Sequence, residues 1–367
     1  MHPVLNQSGG VGAHHHVGDD ARADMAAVGM VNIGQLTRER HGRDVVLIGL
    51  STSVMMHVET RTTDPYRSEV VAMSTETRTV LVYGATGTQG LPVADQLLDT
   101  GRPVRVLTRD RDNAVALADR GAEIAVGDLG DPASLERAHR GVDRVILHLP
   151  LQYDFGLHET YGRNAIDAAR AAGVSMLVFN TSAHVLQGTD VTVYRVRQKV
   201  VDYLRASAVP SVVLQPTFYM DNLLGRWIKP GIVDDGVLAF PLPANFPMSW
   251  ISSQEAAAYA VAALDRPNLA GSTFDIGGPQ GLTGDTMAAC FTAALRRPVS
   301  YVGIAPDAYE QALVPLFGPA VAFEVAEQVR CIVSRGDGTV DMSQPRDQLD
   351  VEPVPLAEWI PRQRWDG

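Results

Sequence analysis

Residues 79–100 read TVLVYGATGTQGLPVADQLLDT, and this stretch decides the fold. Val80, Leu81, Val82 and Tyr83 form an unbroken apolar run, the pattern of a strand buried on both faces. Gly84-Ala85-Thr86-Gly87-Thr88-Gln89-Gly90 follows at once, and 91–99 reads as a helix. Strand, glycine loop and helix in that order make an anion cradle, because the first helical turn offers unpaired N–H groups and the helix dipole favours negative charge. Gly84 permits the tight turn, Gly87 lets a pyrophosphate approach the backbone, and Gly90 lets the helix pack close to the sheet. The spacing is G-x-x-G-x-x-G rather than G-x-G-x-x-G, so its weight comes from the strand and helix around it.

Outward from this stretch, short apolar runs at 104–107, 124–126, 145–147, 176–179 and 212–214 read as further buried strands. Helical patterns at 113–120, 132–139, 157–172 and 196–206 lie between them. Strand–helix units of about 25 residues predict an α/β fold, a doubly wound parallel sheet over 79–216. After Pro216 the rhythm gives way to Pro- and Gly-rich loops, with helices expected at 254–264 and 286–295. That region, 217–367, is expected to form a smaller substrate-side lobe.

The chain has 367 residues, 46% apolar and 20% charged, enough for one large domain or two. Its 31 basic and 42 acidic residues leave a net charge of -11, which repels phosphate backbones and argues against nucleic acid as a partner. The only lysines are Lys199 and Lys229. Two cysteines, Cys290 and Cys331, give neither a disulfide framework nor a metal spacing, and a reducing cytoplasm is the expected location. No run approaches the ~18 apolar residues of a membrane span, and no secretory signal opens the chain.

The strand ends give the remaining candidate site residues. Arg109, after the second strand, is placed to pair with a 2′-phosphate and to favour NADP(H). A solvated loop arginine is the competing reading, and Asp110 could instead accept a ribose hydroxyl, which keeps NAD(H) open. Asp128 and Leu129, after the third strand, suit a loop closing on adenine. His148-Leu149-Pro150, after the fourth, would pass beside the nicotinamide-side ribose.

VLVYGATGTQG, VRVLTRD, GAEIAVGDLGD, FNTSA, YLRASAVPSVVLQPTFYMDNLL and ALRRPVSY together resemble the NmrA-like branch of the atypical short-chain dehydrogenases/reductases. The resemblance spans roughly 79–302, with PLAEWI like the family's usual ending. It implies a Rossmann-like fold binding NADP(H), in either a reductase of quinones and similar acceptors or a redox-sensing regulator. It also places the family's usual lysine at Arg197 and its substrate-side loop at 217–222, where Tyr219 and Asn222 become candidate cofactor contacts.

Catalytic groups are less legible. Ordinary short-chain dehydrogenases use Ser with Tyr-x-x-x-Lys; here Ser182 is the nearest serine, and Tyr194 and Lys199 are five residues apart. Five residues turn a helix by about 140°, so the two side chains cannot share a face. Lys199 is then either a site cation or a surface one. His148 and His184 are candidate proton donors. Reduction of a quinone demands less of a protein acid, because water can protonate the product. Trp227 and Trp250 could line an apolar pocket or simply pack.

Residues 1–72 differ from the rest, with six of the ten histidines, one strand candidate at 45–48 and a helix candidate at 32–39. Residues 12–60 resemble a stretch of the erythromycin esterase family, with His16 where that family's active-site histidine falls. Adjacent His14, His15 and His16 do not share a face for a metal. The expectation is an attached fragment that is not an independent domain, with a self-contained protein beginning at Met73. The function expected is NADP(H)-dependent reduction of a small quinone or carbonyl acceptor. The alternative is a non-catalytic NADP(H)-sensing regulator acting through a protein partner; esterase activity would require the fragment to act alone.

Overall fold

The computed structural model describes residues 78–150 and 154–365. The esterase-like resemblance, the strand and helix expected before residue 72 and a start at Met73 all lie outside them.

Strands β1 (Val80–Tyr83), β2 (Val104–Thr108), β3 (Glu123–Val126), β4 (Arg144–His148), β5 (Met176–Asn180), β6 (Ser211–Pro216) and the later β10 (Thr273–Ile276) form one sheet. Its order is β10-β6-β5-β4-β1-β2-β3, and every pair within it is parallel. Alternation along each strand sends successive side chains to opposite faces. Val80, Val82, Val104, Val106, Ile146 and Val178 enter one apolar layer, while Leu81, Tyr83, Leu107, Val145, Leu147 and Phe179 enter the other. Both faces are apolar, which is why the runs are unbroken.

Helices α1 (Leu91–Asp99) and α6 (Ser253–Leu264) cover the first layer through Val93, Leu97, Ala256 and Ala260. α3 (Pro132–Ala138), α4 (Phe155–Ala172) and α5 (Thr192–Ala206) cover the second through Leu135, Ile166, Val200 and Leu204. Local chemistry sets the ends. Asp131 and Asp154 accept N–H bonds at the starts of α3 and α4, and Gly173, at φ +65°, ends α4. The helix expected at 113–120 is shorter: Asp110 caps a 3-10 turn, Arg111–Ala114, which leads into α2 (Val115–Asp119). α5 begins one turn before its expected start and takes in Tyr194.

After β6 the chain builds a three-stranded sheet of β7 (Phe218–Tyr219), β9 (Met248–Ile251) and β11 (Gly281–Leu282). A parallel pair, β8 (Val237–Phe240) and β12 (Ser300–Gly303), stands beside it in sequence. α7 (Gly284–Leu295), α8 (Pro306–Phe317), α9 (Pro319–Ser334), α10 (Ser343–Leu349) and α11 (Leu356–Trp359) complete the described chain. Phe218, Phe240 and Trp250 meet edge to face at 5.0–5.7 Å in the core of this region. Trp250 is core material there, and Trp227 is 64% exposed, so the two do not line a common pocket.

The line expected at residue 216 is crossed. α6, β10 and α10 belong to the main layer, where Tyr259, Phe274, Ile276 and Leu349 enter the same apolar cluster as the side chains of β1 and β2. Among the described residues no helix is long and apolar enough to cross a membrane, and no cluster of His, Cys, Asp and Glu is placed for a metal.

Candidate functional site

Strand order reverses between β1 and β4, because the chain leaves β1 toward β2 on one side and returns to β4 on the other. Such a switch point opens a crevice at the carboxyl ends of the strands. The glycine loop occupies it. Gly84 sits at φ +66°, a left-handed turn that glycine adopts without cost, and its carbonyl accepts the Gly87 N–H at 2.9 Å. Thr86, Gly87 and Thr88 form an exposed tip, while Ala85 and Gly90 are buried. A Cβ on Gly90 would stand 2.2 Å from the Gly84 carbonyl oxygen. Closure of the loop on itself therefore demands this glycine, rather than helix–sheet packing as the motif suggested.

His148 ends β4 against the loop; a Cβ on Gly84 would meet the His148 Cβ at 3.2 Å. Burial pushes its imidazole pKa down to about 4, against the opposing effect of a ring N–H donated to the Tyr83 carbonyl. The ring is neutral and packs against the loop from behind, with its Nδ1 buried and without a hydrogen-bond partner among the described residues. Leu149 is buried, Pro150 is exposed, and 151–153 lie outside the described residues.

Arg109 is exposed at the end of β2 and makes no ion pair among the described residues. Asp110 is exposed beside it, and one oxygen of its carboxylate accepts the Asp112 N–H at 3.0 Å as a helix cap. Asp128 is half-buried, with one oxygen accepting the Gly130 N–H at 2.7 Å. Leu129 packs on the second layer, and its carbonyl is held by the Asn164 side chain at 2.8 Å.

Arg197 faces inward from α5, 6% exposed, and its charge reaches His158, Tyr194 and Tyr219. His158, on α4, is held neutral, its pKa pushed down to about 4 by burial and then by Arg197. Lys199 lies on the outer face, pairing with Glu159 at 3.1 Å, and Tyr194 is buried. The missing Tyr–Lys pair of the sequence is thus a geometric fact, and Lys199 is a surface cation rather than a catalytic one. His184 is also accounted for, pairing with Asp275 at 3.1 Å.

Ser182 remains in the site. It is half-buried at φ +62°, its N–H donates to the Asn180 side-chain oxygen at 2.7 Å, and its hydroxyl has no partner among the described residues. Asn180 also donates to the Tyr219 hydroxyl at 3.1 Å, and that hydroxyl lies 3.4 Å from the Gln89 side-chain oxygen. Asn222 is exposed on the following 3-10 turn, while its neighbour Asp221 caps α6 through Ser253 at 2.6 and 2.8 Å. Sequence reading missed Asn180 and Asp221. A polar residue closing the apolar strand MLVFN was the available signal for the first; the second had none.

Two grooves, about 430 and 510 Å³, flank Phe323 on α9. One is lined by Phe155 at the start of α4, the other by Thr189–Thr192 leading into α5.

Residues 76–360 match the model of the NmrA-like family. The chain belongs to the NmrA-like family. Within it, the NAD(P)H azoreductase of Xenophilus azovorans is 34% identical over 241 residues, covering 65% of this chain and 82% of that one. The (4-alkanoyl-5-oxo-2,5-dihydrofuran-3-yl)methyl phosphate reductase of Streptomyces griseus is 34% identical over 247 residues, 66% and 83% of the two chains. Among solved structures, Citrobacter sp. triphenylmethane reductase complexed with NADP(H) superposes with a TM-score of 0.67 at 21% identity, over 77% of this chain and 99% of that one. An Escherichia coli NADPH-dependent quinone oxidoreductase complexed with NADPH gives 0.65 at 22%, over 77% and 99%. These two share the NmrA-like fold. The erythromycin-esterase resemblance at 12–60 lies outside the matched residues.

Proposed function

We propose that this NmrA-like chain is an NADP(H)-dependent reductase of a small quinone or carbonyl acceptor. The observation that carries the reading is the glycine loop at the switch point, closed by Gly84 and Gly90 with its 86–88 tip exposed. That cradle fits a diphosphate: the closed turn leaves the 86–88 backbone exposed, and the N-terminus of α1 opens behind it. The two 34%-identical relatives are both reductases by name, which supports hydride chemistry here.

In this reading the 84–90 loop holds the diphosphate and the exposed Arg109 guanidinium pairs with the 2′-phosphate. Asp128 and Leu129 border the adenine. The buried Arg197 charge lies on the nicotinamide side, together with Tyr219. Bound NADPH supplies the hydride. The chain's own residues orient the acceptor and admit the proton; with His148 neutral and Lys199 outside, that proton comes from water or from the free Ser182 hydroxyl. Phe155 and Phe323 give the acceptor groove an apolar side.

The test is NADPH oxidation by purified protein, followed by absorbance across a panel of quinones and carbonyl compounds, beside direct titration of NADPH and NADH. Turnover with at least one acceptor and tighter binding of NADPH are expected. Tight binding of NADPH and NADP+ without turnover on any acceptor rejects the reductase and favours the cofactor-sensing regulator.

A further inference from the structure

We infer that Tyr219 is a positioning residue whose hydroxyl ties the glycine loop to the Ser182 turn, so that a diphosphate seated on the loop sets the backbone on the acceptor side. The inference rests on the dinucleotide reading above. Three segments distant in sequence converge on this one oxygen: Gln89 from the glycine loop, Asn180 from the end of β5, and Tyr219 itself from β7. Tyr219 is 6% exposed and Asn180 1%, so water does not compete for the bond between those two.

The bonds have a direction. The Asn180 amide donates to the Tyr219 oxygen at 3.1 Å. The single hydroxyl proton then has two acceptors, Gln89 and Asn180, each at 3.4 Å. The Asn180 oxygen already receives the Ser182 N–H at 2.7 Å, whereas the Gln89 oxygen has no other donor among the described residues. The proton therefore goes to Gln89. Both contacts, at 3.4 Å, are longer than an ordinary O–H···O bond of about 2.5–3.0 Å and therefore weak, so a loop shifted by a ligand shortens or breaks this link first.

What the link controls is a strained turn. Ser182 holds a left-handed backbone that a non-glycine residue adopts only when its surroundings impose it. Two bonds hold it: the Thr181 hydroxyl donates across it to the Ala183 carbonyl at 2.6 Å, and its own N–H donates to Asn180, whose amide in turn meets Tyr219. On the other side, Tyr219 pairs with Ile251 across β7 and β9, which carries the same constraint into the substrate-side sheet. The loop next to α1 and the turn bearing a free hydroxyl are thus joined through Tyr219, whose hydroxyl meets residues of both segments.

Hydrogen–deuterium exchange on the full chain tests this directly, with NADP+ as the probe. In the wild type, NADP+ slows exchange over 180–185; in Gln89→Met and Tyr219→Phe it does not. Without ligand, Gln89→Met already speeds exchange at the Ser182 amide, although Gln89 lies on another segment. NADP+ titration gives a second readout. Each single variant binds about 2- to 10-fold more weakly, the span of one neutral hydrogen bond, and the double variant no more weakly than the weaker single. Losses that multiply in the double variant, or protection over 180–185 that survives Gln89→Met, overturn the inference. If the wild type binds no NADP+, the dinucleotide reading fails, and unliganded exchange at Ser182 still decides the tie: unchanged exchange in Gln89→Met refutes it. Gln89 is half-exposed, so that variant keeps the core intact should Tyr219→Phe fold poorly.

Discussion

Substituting alanine at Gly90 and at Gly87 separates the two jobs a glycine loop performs. At Gly90 the new methyl group would lie 2.2 Å from the Gly84 oxygen, 2.5 Å from its carbonyl carbon and 2.9 Å from the Ala85 nitrogen. All three are backbone atoms with no rotamer to escape into. Restoring an ordinary 3.4 Å contact requires a shift of about 1.2 Å in the turn. Overpacking of this kind costs about 1–3 kcal/mol. For a chain of this size that lowers Tm by roughly 2–12 °C, at about 2–4 °C per kcal/mol. The same shift misaligns the N–H groups aimed at the diphosphate. Losing two charge-assisted bonds of about 1.5 kcal/mol each weakens NADPH at least 100-fold.

At Gly87 the nearest atom to a new methyl is the Gly84 oxygen at 3.4 Å, an ordinary contact, and the residue lies on the exposed tip. Gly87→Ala should therefore melt within about 2 °C of wild type, since a strain-free surface change stays within about ±0.5 kcal/mol, yet still bind NADPH more weakly. Thermal melts and fluorescence titration of both variants provide the comparison. A Gly90→Ala protein that melts and binds like wild type refutes the loop-closure argument; equal Tm losses in both variants refute the division of labour.

Other outcomes follow from the same geometry. Arg109→Ala should weaken NADPH by about 1.5 kcal/mol, roughly tenfold, and leave NADH unchanged; parallel titrations showing equal losses contradict the 2′-phosphate pairing. Lys199→Ala removes an exposed ion pair with Glu159, worth about 0–1 kcal/mol, and should leave kcat unchanged, so a large fall in kcat returns Lys199 to the site. His148 and His158 are held near pKa 4 in the fold and titrate near 6.5 when unfolded. Their contribution to stability is complete above about pH 6.5 and is lost as pH falls toward 4, because the unfolded chain takes up the protons first. Melts from pH 7 to 4 should show this decline, and His158→Asn should flatten it; an unchanged slope in that variant contradicts the neutral assignment.

β1, β4, β5 and β6 were legible because they are buried along their whole length, as in VLVY and MLVFN. VRVLT had to be read through the half-buried Arg105, and β3, EIAV, lies at the sheet edge with Glu123 and Val126 exposed. β10 was not legible. TFDI alternates, with Phe274 and Ile276 packed and Thr273 and Asp275 half-exposed, because it sits at the sheet edge. α8 and α9 escaped because they expose Phe317 and Phe323 and bury few side chains, leaving a weak stripe. In the site, the glycine loop was local in sequence and could be read from it. Lys199 was decided by a partner 40 residues away, and the link from Gln89 to Tyr219 spans 130. Separations of that order are set by how the layers pack. A helical projection of α5 does carry part of the answer, since Val193, Val196, Val200 and Leu204 form the buried stripe and Lys199 lies off it.

β6 and β10 are neighbours in the sheet, with Val213 beside Thr273 and Pro216 beside Ile276, yet the chain travels from 217 to 272 between them. That excursion leaves and rejoins the sheet through two strands already hydrogen-bonded to each other. Its ends are pinned whatever its length, and doubling a flexible connection costs only about 0.6 kcal/mol in closure entropy. The arrangement works as a cassette. Residues can be added, removed or exchanged in β8 and the turns around it without disturbing the register of β1 through β5, where the glycine loop is built. One scaffold can thus keep the same phosphate cradle while its acceptor side diverges.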